Sequence, residues 1–238
     1  MDSMDKSKKT AKRRKPNTSN PDQQQYSSTF PFLKLPAEIR NMIYKLVLAT
    51  DDEIEFQRAY ENREKGRFLI KRQRPHIITN NDINVKLLRV SKQIREEATV
   101  FLYSGNTFFF FSANTLPKFF SQYATHVRDI RSITLNVCHC SQAALEKAFS
   151  YLAFADRLER LCLHYQMSPR YTFQDNVDIF FWGSRYWLEA VGIRKGNKNA
   201  ALQMITWPFE LRTWAREHDG SKEEEHHRFQ MAIKDLLR

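Results

Sequence analysis

The fold is decided by a stretch in which a helical pattern passes directly into a strand pattern. Residues 87–111 read LLRVSKQIREEATVFLYSGNTFFFF. Apolar residues recur at helical spacing in its first half and predict a helix that begins after Asp82. Gly105 ends this helix, because glycine commonly follows a helix C-terminus. The four phenylalanines at 108–111 form an apolar run too short for a helix, so they predict a buried strand.

The sequence before this stretch predicts a first helix and a β-hairpin. After Leu35-Pro36, apolar side chains recur at helical spacing and form one stripe: Ile39, Met42, Ile43, Leu46 and Val47. Short β-prone runs at 54–56 and 68–70 flank a turn-like Glu-Lys-Gly at 64–66. This arrangement indicates a long hairpin between the two helices.

Helical and β-prone segments alternate in the rest of the chain. In order, the predicted elements are helix 115–123, strand 130–137, helix 142–155, strand 158–163, helix 179–191, strand 202–205 and a final helix from 221. Alternation at spacings of about 25–40 residues predicts an α/β fold with a largely parallel sheet. An α+β fold is the alternative, and the alternation is also compatible with a degenerate leucine-rich-repeat-like arrangement.

Composition and charge exclude several functional classes. The 238 residues are 42% hydrophobic and 27% charged, which is the balance of an ordinary globular protein. The six glycines form neither a phosphate-binding loop nor a dinucleotide-binding motif, so we expect no cofactor. No apolar run approaches the roughly 18 residues that span a bilayer, and no secretory signal is present. The three cysteines are expected to be free thiols.

The N-terminal segment is expected to be a disordered basic tail. Residues 1–28 are polar and contain almost no apolar side chain, so they cannot bury enough surface to offset their ordering entropy. Four consecutive cations in the tail resemble a nuclear-import signal: Lys12, Arg13, Arg14 and Lys15. We therefore expect a nuclear protein, with a cytoplasmic one as the alternative.

Two segments resemble a family of uncharacterised fungal F-box-like proteins, some of which are named for paired E-x-R motifs. Residues 35–48 read LPAEIRNMIYKLVL, which is similar to the family signature L-P-x-E-I-R-x-x-I-Y-x-L. Residues 87–108 resemble the family segment L-L-x-V-x-x-Q-I-R-x-E-A-x-x-x-x-Y-x-x-N-x-F. The resemblance covers about residues 30–137. It implies F-box-like N-terminal helices with a hairpin insertion, and hence a tail at 1–28, an F-box-like segment at 29–106 and an α/β body at 107–238 packed on it as one globular unit.

The resemblance implies a partner for the first helix. F-box proteins dock on a Skp-type adaptor of a cullin ubiquitin ligase, and the matching contact positions here are Leu35, Pro36, Ile39, Ile43 and Leu46. Alternatively, this stripe packs on the chain's own helix at 85–103, which would make the family signature a folding signature. Arg40 of the E-x-R motif has two interpretations as well. It forms a structural latch with Glu96 or Glu97, or it binds a carboxylate of a partner.

Candidate catalytic and metal-binding residues are few. The chain has no G-x-S-x-G elbow and no histidine in a recognisable catalytic context, so we expect a protein that is not an enzyme. Cys138-His139-Cys140 and Cys162-Leu163-His164 would form a zinc site only if their strands were neighbours. Because this spacing is not a recognised structural pattern, we assign no metal ligand.

A cluster of aromatic residues indicates a second recognition surface, because Trp and Tyr dominate interface hot spots. The candidate contact residues are Trp182, Tyr186 and Trp187. Basic residues near this cluster would also suit a nucleic acid: Arg170, Arg185, Arg194, Lys195 and Lys198. The leading interpretation is a non-enzymatic protein-interaction module, specifically an F-box-like substrate-recruiting adaptor. The alternative is a nuclear nucleic-acid-associated protein that uses the tail and the basic aromatic surface.

Overall fold

The computed structural model describes five ranges of the chain: 30–57, 67–71, 83–138, 140–207 and 221–237. The chain divides into two compact units, Met1–Leu35 and Pro36–Arg238. In the first unit, the described residues contain one turn of 3-10 helix, Phe32–Lys34. The predicted tail at 1–28, with its nuclear-import sequence at Lys12–Lys15, lies outside the described residues.

The second unit alternates strands and helices, which confirms the predicted α/β class. Its elements are α1 (Ala37–Leu48), β1 (Glu53–Gln57), β2 (Arg67–Lys71), a 3-10 helix (Val85–Arg89), α2 (Lys92–Ser104), β3 (Thr107–Phe110), α3 (Thr115–Gln122), a second 3-10 helix (Val127–Asp129), β4 (Ser132–Asn136), α4 (Gln142–Leu152), β5 (Arg160–His164), α5 (Phe173–Lys195), α6 (Ala200–Met204), β6 (Ile205–Thr206) and α7 (Ser221–Leu236).

The strands form one sheet in the order β2-β1-β3-β4-β5-β6. β1 and β2 are antiparallel, which confirms the hairpin, while its predicted turn at 64–66 lies outside the described residues. All other neighbouring strands are parallel. Parallel neighbours need crossover connections, and the intervening helices provide them. The five parallel strands are β1, β3, β4, β5 and β6, and they lie side by side in their chain order. Each crossover therefore leads to the adjacent parallel strand, as in a repeat-like arrangement.

One face of the sheet carries the apolar core. Ile54 pairs with Phe108 and Phe108 with Ile133, so alternation places these side chains on the same face. All three are buried. Phe119 of α3 packs against this face, with its ring centroid 5.2 Å from that of Phe56 and 5.6 Å from that of Phe108. The helix therefore covers the sheet through aromatic contacts.

The opposite face of the sheet carries mainly polar side chains. Thr134 of β4 pairs with Cys162 of β5 on this face. The Thr134 hydroxyl donates a hydrogen bond of 2.6 Å to Oε1 of Glu53 in β1. The sheet is thus apolar on one side and mainly polar on the other, where Phe109, the partner of Thr134, is the buried apolar exception.

Two predicted elements have different boundaries in the structure. α2 begins at Lys92 rather than soon after Asp82, because the Ser91 hydroxyl caps it by accepting a bond from the Ile94 amide at 3.1 Å. The strand predicted at 202–205 is wrong over most of its length, since Ala200–Met204 is helical and only Ile205–Thr206 pairs with β5.

α5 is longer than the predicted helix at 179–191. It begins at Phe173, where Thr172 and Asp175 form a capping box. It ends before Gly196, whose φ of 66° lies in the left-handed region that favours glycine. Gly183 permits close packing on α4, because a Cβ there would lie 2.6 Å from the Cβ of Leu145.

Asn106 joins α1, α2 and the start of β3. Its side chain is 3% exposed. The amide nitrogen donates to the carbonyl oxygens of Leu48 and Leu102, both at 2.7 Å, and the amide oxygen accepts from the Thr50 amide at 2.8 Å. The C-terminal ends of the two helices are therefore held together at one side chain.

Replacing Asn106 is expected to destabilise the protein, because Asn106→Ala leaves buried backbone groups without partners. We expect a loss of about 1–3 kcal/mol in the free energy of unfolding, measured by urea denaturation. The matched control is Asn114→Ala, at an exposed residue whose side chain makes no capping bond, with an expected change within about 0.5 kcal/mol. Equal effects of the two substitutions would contradict the role of Asn106.

Candidate protein-interaction site

α1 has two different faces, and the structure turns the one that contains Arg40 toward α2. Tyr44 and Leu48 are fully buried, and Arg40 lies one turn before Tyr44 on the same face. This face packs on α2, where the Tyr44 ring lies 5.9 Å from the ring of Phe101. The apolar stripe does not form this contact.

Polar side chains connect the two helices in a network. Arg40 binds Glu97 through two hydrogen bonds, from Nε to Oε2 and from Nη2 to Oε1, both 2.9 Å long. The Tyr44 hydroxyl donates to Glu97 Oε2 at 2.8 Å, and the Gln93 amide donates to Oε1 at 2.9 Å. Of the two interpretations of Arg40, the structural latch with Glu97 is confirmed.

The electrostatics follow from this network. Hydrogen bonds from Arg40, and next from Gln93, lower the pKa of the Glu97 carboxyl from 4.5 to about 2. Burial, and next the bond to Glu97, raises the pKa of Tyr44 to about 12. Glu97 therefore stays ionised and Tyr44 stays a hydrogen-bond donor at physiological pH.

The apolar stripe of α1 faces outward. Ile39 is 42% exposed, Met42 61% and Leu46 81%. These side chains lie opposite Tyr44 on the helix. Packing on the chain's own second helix is therefore wrong for these three residues, whereas Ile43 and Val47 of the predicted stripe are half-buried. We call Ile39, Met42 and Leu46 the α1 stripe.

The structure places the five predicted contact residues of this helix at different depths. Pro36 is exposed, like Ile39 and Leu46, whereas Ile43 is half-buried at the margin of the stripe. Leu35 belongs to the first unit and is half-buried.

A further exposed apolar segment lies beside the C-terminal turn of α1. The Asn84 amide donates to the Val47 carbonyl at 3.2 Å. Val85, the next residue, is 50% exposed, and Val90 at the end of the same 3-10 segment is 67% exposed. Val85 therefore adds apolar surface beside the C-terminal turn of α1.

The predicted aromatic surface is only partly present. Trp182 and Tyr186 are 50% and 66% exposed on α5. Trp187 is instead 1% exposed, with its ring 5.5 Å from that of Phe149. Its assignment as a partner-binding residue is therefore wrong, because it belongs to the core between α4 and α5.

The cysteines do not assemble into a metal centre with other described residues. β4 and β5 are neighbours, as the zinc alternative required, but Cys162 pairs with Thr134, and the Cys138 thiol donates to the His164 carbonyl at 3.3 Å. Among the described residues, which exclude His139, no three His, Cys, Asp or Glu side chains form a group that could hold a metal ion. Burial raises the pKa of all three thiols, which disfavours the nucleophilic thiolate.

None of the described helices combines the length and the apolar character that a membrane span requires.

Sequence reasoning missed two members of the network, Tyr44 and Gln93. The signal was present in the spacing, since Arg40 and Tyr44 are four residues apart, and so are Gln93 and Glu97. Residues four apart share one face of a helix. Two such polar pairs on adjacent helices identify the faces that meet.

The chain belongs to a family defined by a domain of unknown function, DUF7730, whose model matches residues 23–160. The match includes α1, the hairpin, α2 and the strands through β4. Searches of curated proteins and of solved structures gave no match. The family description assigns no activity, so the function has to be argued from the site.

The Arg40–Glu97 network predicts a specific pH dependence of stability. The pKa of Glu97 is lower in the folded chain than its ordinary value of 4.5, so its contribution is complete above that value and disappears as the pH falls toward about 2. We expect Glu97→Gln to lower the melting temperature at neutral pH, and the difference from the wild type to shrink between about pH 5 and pH 2. Thermal unfolding followed by circular dichroism measures this.

The matched control is Glu96→Gln on the adjacent residue. The Glu96 side chain is 65% exposed and lies 3.8 Å from Lys92, so its loss should change stability little at any pH. A pH-independent difference between Glu97→Gln and the wild type would contradict the role assigned to the Glu97 carboxylate.

Proposed function

We propose that this protein is a non-enzymatic protein-interaction module that binds its partner through the α1 stripe. The observation that carries the proposal is the orientation of α1. The helix turns an arginine and a tyrosine inward and three large apolar side chains outward. Apolar residues grouped on one exposed face are a feature of interaction sites.

The support behind the stripe suits a binding surface. Arg40 and Tyr44 fix the rotation of α1 through Glu97, and Asn106 fixes its C-terminal end. The orientation of the helix that carries the stripe is therefore already fixed before a partner binds. A surface ordered before binding loses less entropy when the complex forms.

The proposed partner is a Skp-type adaptor, which would make the protein an F-box-like recruiter of substrates for ubiquitination. The resemblance of residues 35–48 and of Val90-Ser91-Lys92 to the two F-box helices supports this assignment. The insertion between these segments contributes β1 and β2 to the sheet, while α1 and α2 remain side by side through the Arg40–Glu97 pair. Val90 is exposed and thus accessible to a partner.

A nuclear location remains part of the proposal through the basic sequence Lys12–Lys15. Nuclear import of this kind would bring the protein to nuclear substrates. It does not depend on the α1 stripe.

Substitution within the stripe is expected to abolish adaptor binding. Leu46→Asp places a charge at an 81% exposed position, so the fold should be retained while the apolar contact is lost. We expect the full-length wild type to bind a purified Skp-type adaptor in biolayer interferometry, and Leu46→Asp to weaken binding by more than about tenfold.

The control is Phe111→Asp, a comparable substitution at a residue that is 66% exposed at the end of β3. Equal melting temperatures of both variants and the wild type would show that folding is intact. Absence of binding by the wild type, or equal weakening by both substitutions, would refute the adaptor proposal.

A further inference from the structure

We infer that a groove between α5 and α7 is a second interaction surface, and that its ligand is an acidic amphipathic helix of another protein. The groove has a volume of about 490 Å³. Apolar side chains from both helices line most of it, including Phe181, Trp182, Leu188, Ile193, Leu236 and Leu237. The inference goes beyond the proposed function, because it involves none of the residues of the α1 stripe.

Several apolar residues of this surface are unusually exposed. On α5, Trp182 is 50% exposed, Tyr186 66% and Ile193 84%, and Leu236 on α7 is 44% exposed. The α5 residues are four and seven positions apart, so they follow one side of the helix. Helical ligands place anchors at such spacings into grooves between helices.

The base of the groove is well packed. Phe229 and Ile233 hold α7 in place, since both are buried and the Phe229 ring lies 5.5 Å from the ring of Phe180 in α5. On the other side of α5, Trp187 packs into the core against Phe149. The exposed residues are therefore carried by two helices that are fixed to each other.

The charge of the surface determines the kind of helix that fits. The exposed positions from 182 to 198 include four cations and one acid: Arg185, Arg194, Lys195, Lys198 and Glu189. Glu189 pairs with Arg185, with 2.6 Å between Oε1 and Nε, and Arg194 pairs with Asp156, with 3.4 Å between Nη2 and Oδ1. The exposed Lys234 and Asp235 of α7 add one charge of each sign beside the groove. The surface is thus positive overall, and a ligand with Asp or Glu beside its apolar anchors is complementary to it.

A protein helix fits better than a single-stranded nucleic acid. The Arg185 guanidinium lies 5.1 Å from the centroid of the Trp182 ring, so it already covers a face that a base would need for stacking. The apolar lining offers burial for aliphatic and aromatic side chains.

The experiment is a selection on the full-length chain with a phage-displayed library of randomised helical peptides of about 18 residues. The test variant is Ile193→Asp. Ile193 is 84% exposed, so the variant should keep the wild-type melting temperature. The most enriched peptide is then synthesised, and its affinity for the wild type and the variants is measured by fluorescence anisotropy.

We expect the enriched peptides to carry Asp and Glu, with apolar residues at helical spacing. The synthesised peptide should bind Ile193→Asp more than about tenfold more weakly than the wild type, should lose affinity for Lys195→Glu and at high salt, and should bind the control Phe111→Asp normally.

Three results would overturn the inference. The first is that no peptides, or only basic peptides, are enriched. The second is that the synthesised peptide binds Ile193→Asp as well as it binds the wild type. The third is that the wild-type chain self-associates and that Ile193→Asp abolishes this self-association. Binding of a single-stranded oligonucleotide that requires Ile193 would overturn it too. The Skp-type adaptor is absent from this assay, so its outcome is independent of the adaptor test.

Discussion

The bidentate pair between Arg40 and Glu97 determines how the first helix lies on the second. Both Glu97 oxygens are used, one by Arg40 and Tyr44 and the other by Arg40 and Gln93. A carboxylate with this many donors is well satisfied despite being only 26% exposed. The rotation of α1 that preserves these bonds is the rotation that turns Ile39, Met42 and Leu46 to solvent.

Such a pair specifies orientation as well as adding stability. Two charges that are taken partly out of water lose hydration, but the pKa of Glu97 lies below its ordinary value, so the hydrogen bonds to its carboxylate outweigh that loss. A rotation of α1 that turned the α1 stripe toward α2 would separate Arg40 from Glu97. The network thus selects one rotation of the helix, and Asn106 maintains it at the end of α1. In this account, α1 has one face whose polar side chains orient the helix on α2 and another face whose apolar side chains stay exposed.

Much of the fold could be predicted from the sequence, because the responsible patterns are local. The apolar period identified α1, the run Phe108–Phe111 identified β3, and two short runs identified the hairpin. The latch between Arg40 and Glu97 was one of two alternatives that charge and spacing allowed. Local patterns gave wrong predictions where contacts with distant segments decide the structure. Ala200–Met204 is a helix, although a strand was predicted at 202–205. Trp187 lies in the core, whereas Trp182 on the same helix is exposed.

The inward face of α1 could not be predicted from apolar period, since that period assigns the most hydrophobic side to the core. Here the face with Arg40 and Tyr44 packs inward, because Glu97 of α2 accepts hydrogen bonds from both side chains. The groove between α5 and α7 could not be predicted from local sequence patterns either, because it is formed by residues near 190 and residues near 236. Both surfaces depend on contacts between segments that are far apart in the chain.

The orientation of α1 is tested most directly by hydroxyl-radical footprinting of the free protein, read by mass spectrometry at single residues. The account predicts that Met42 and Leu46 are oxidised nearly as fast in the folded chain as in the urea-unfolded chain, whereas Tyr44 and Leu48 are strongly protected until unfolding. Protection of Met42 and Leu46 equal to that of Tyr44 and Leu48 would contradict it.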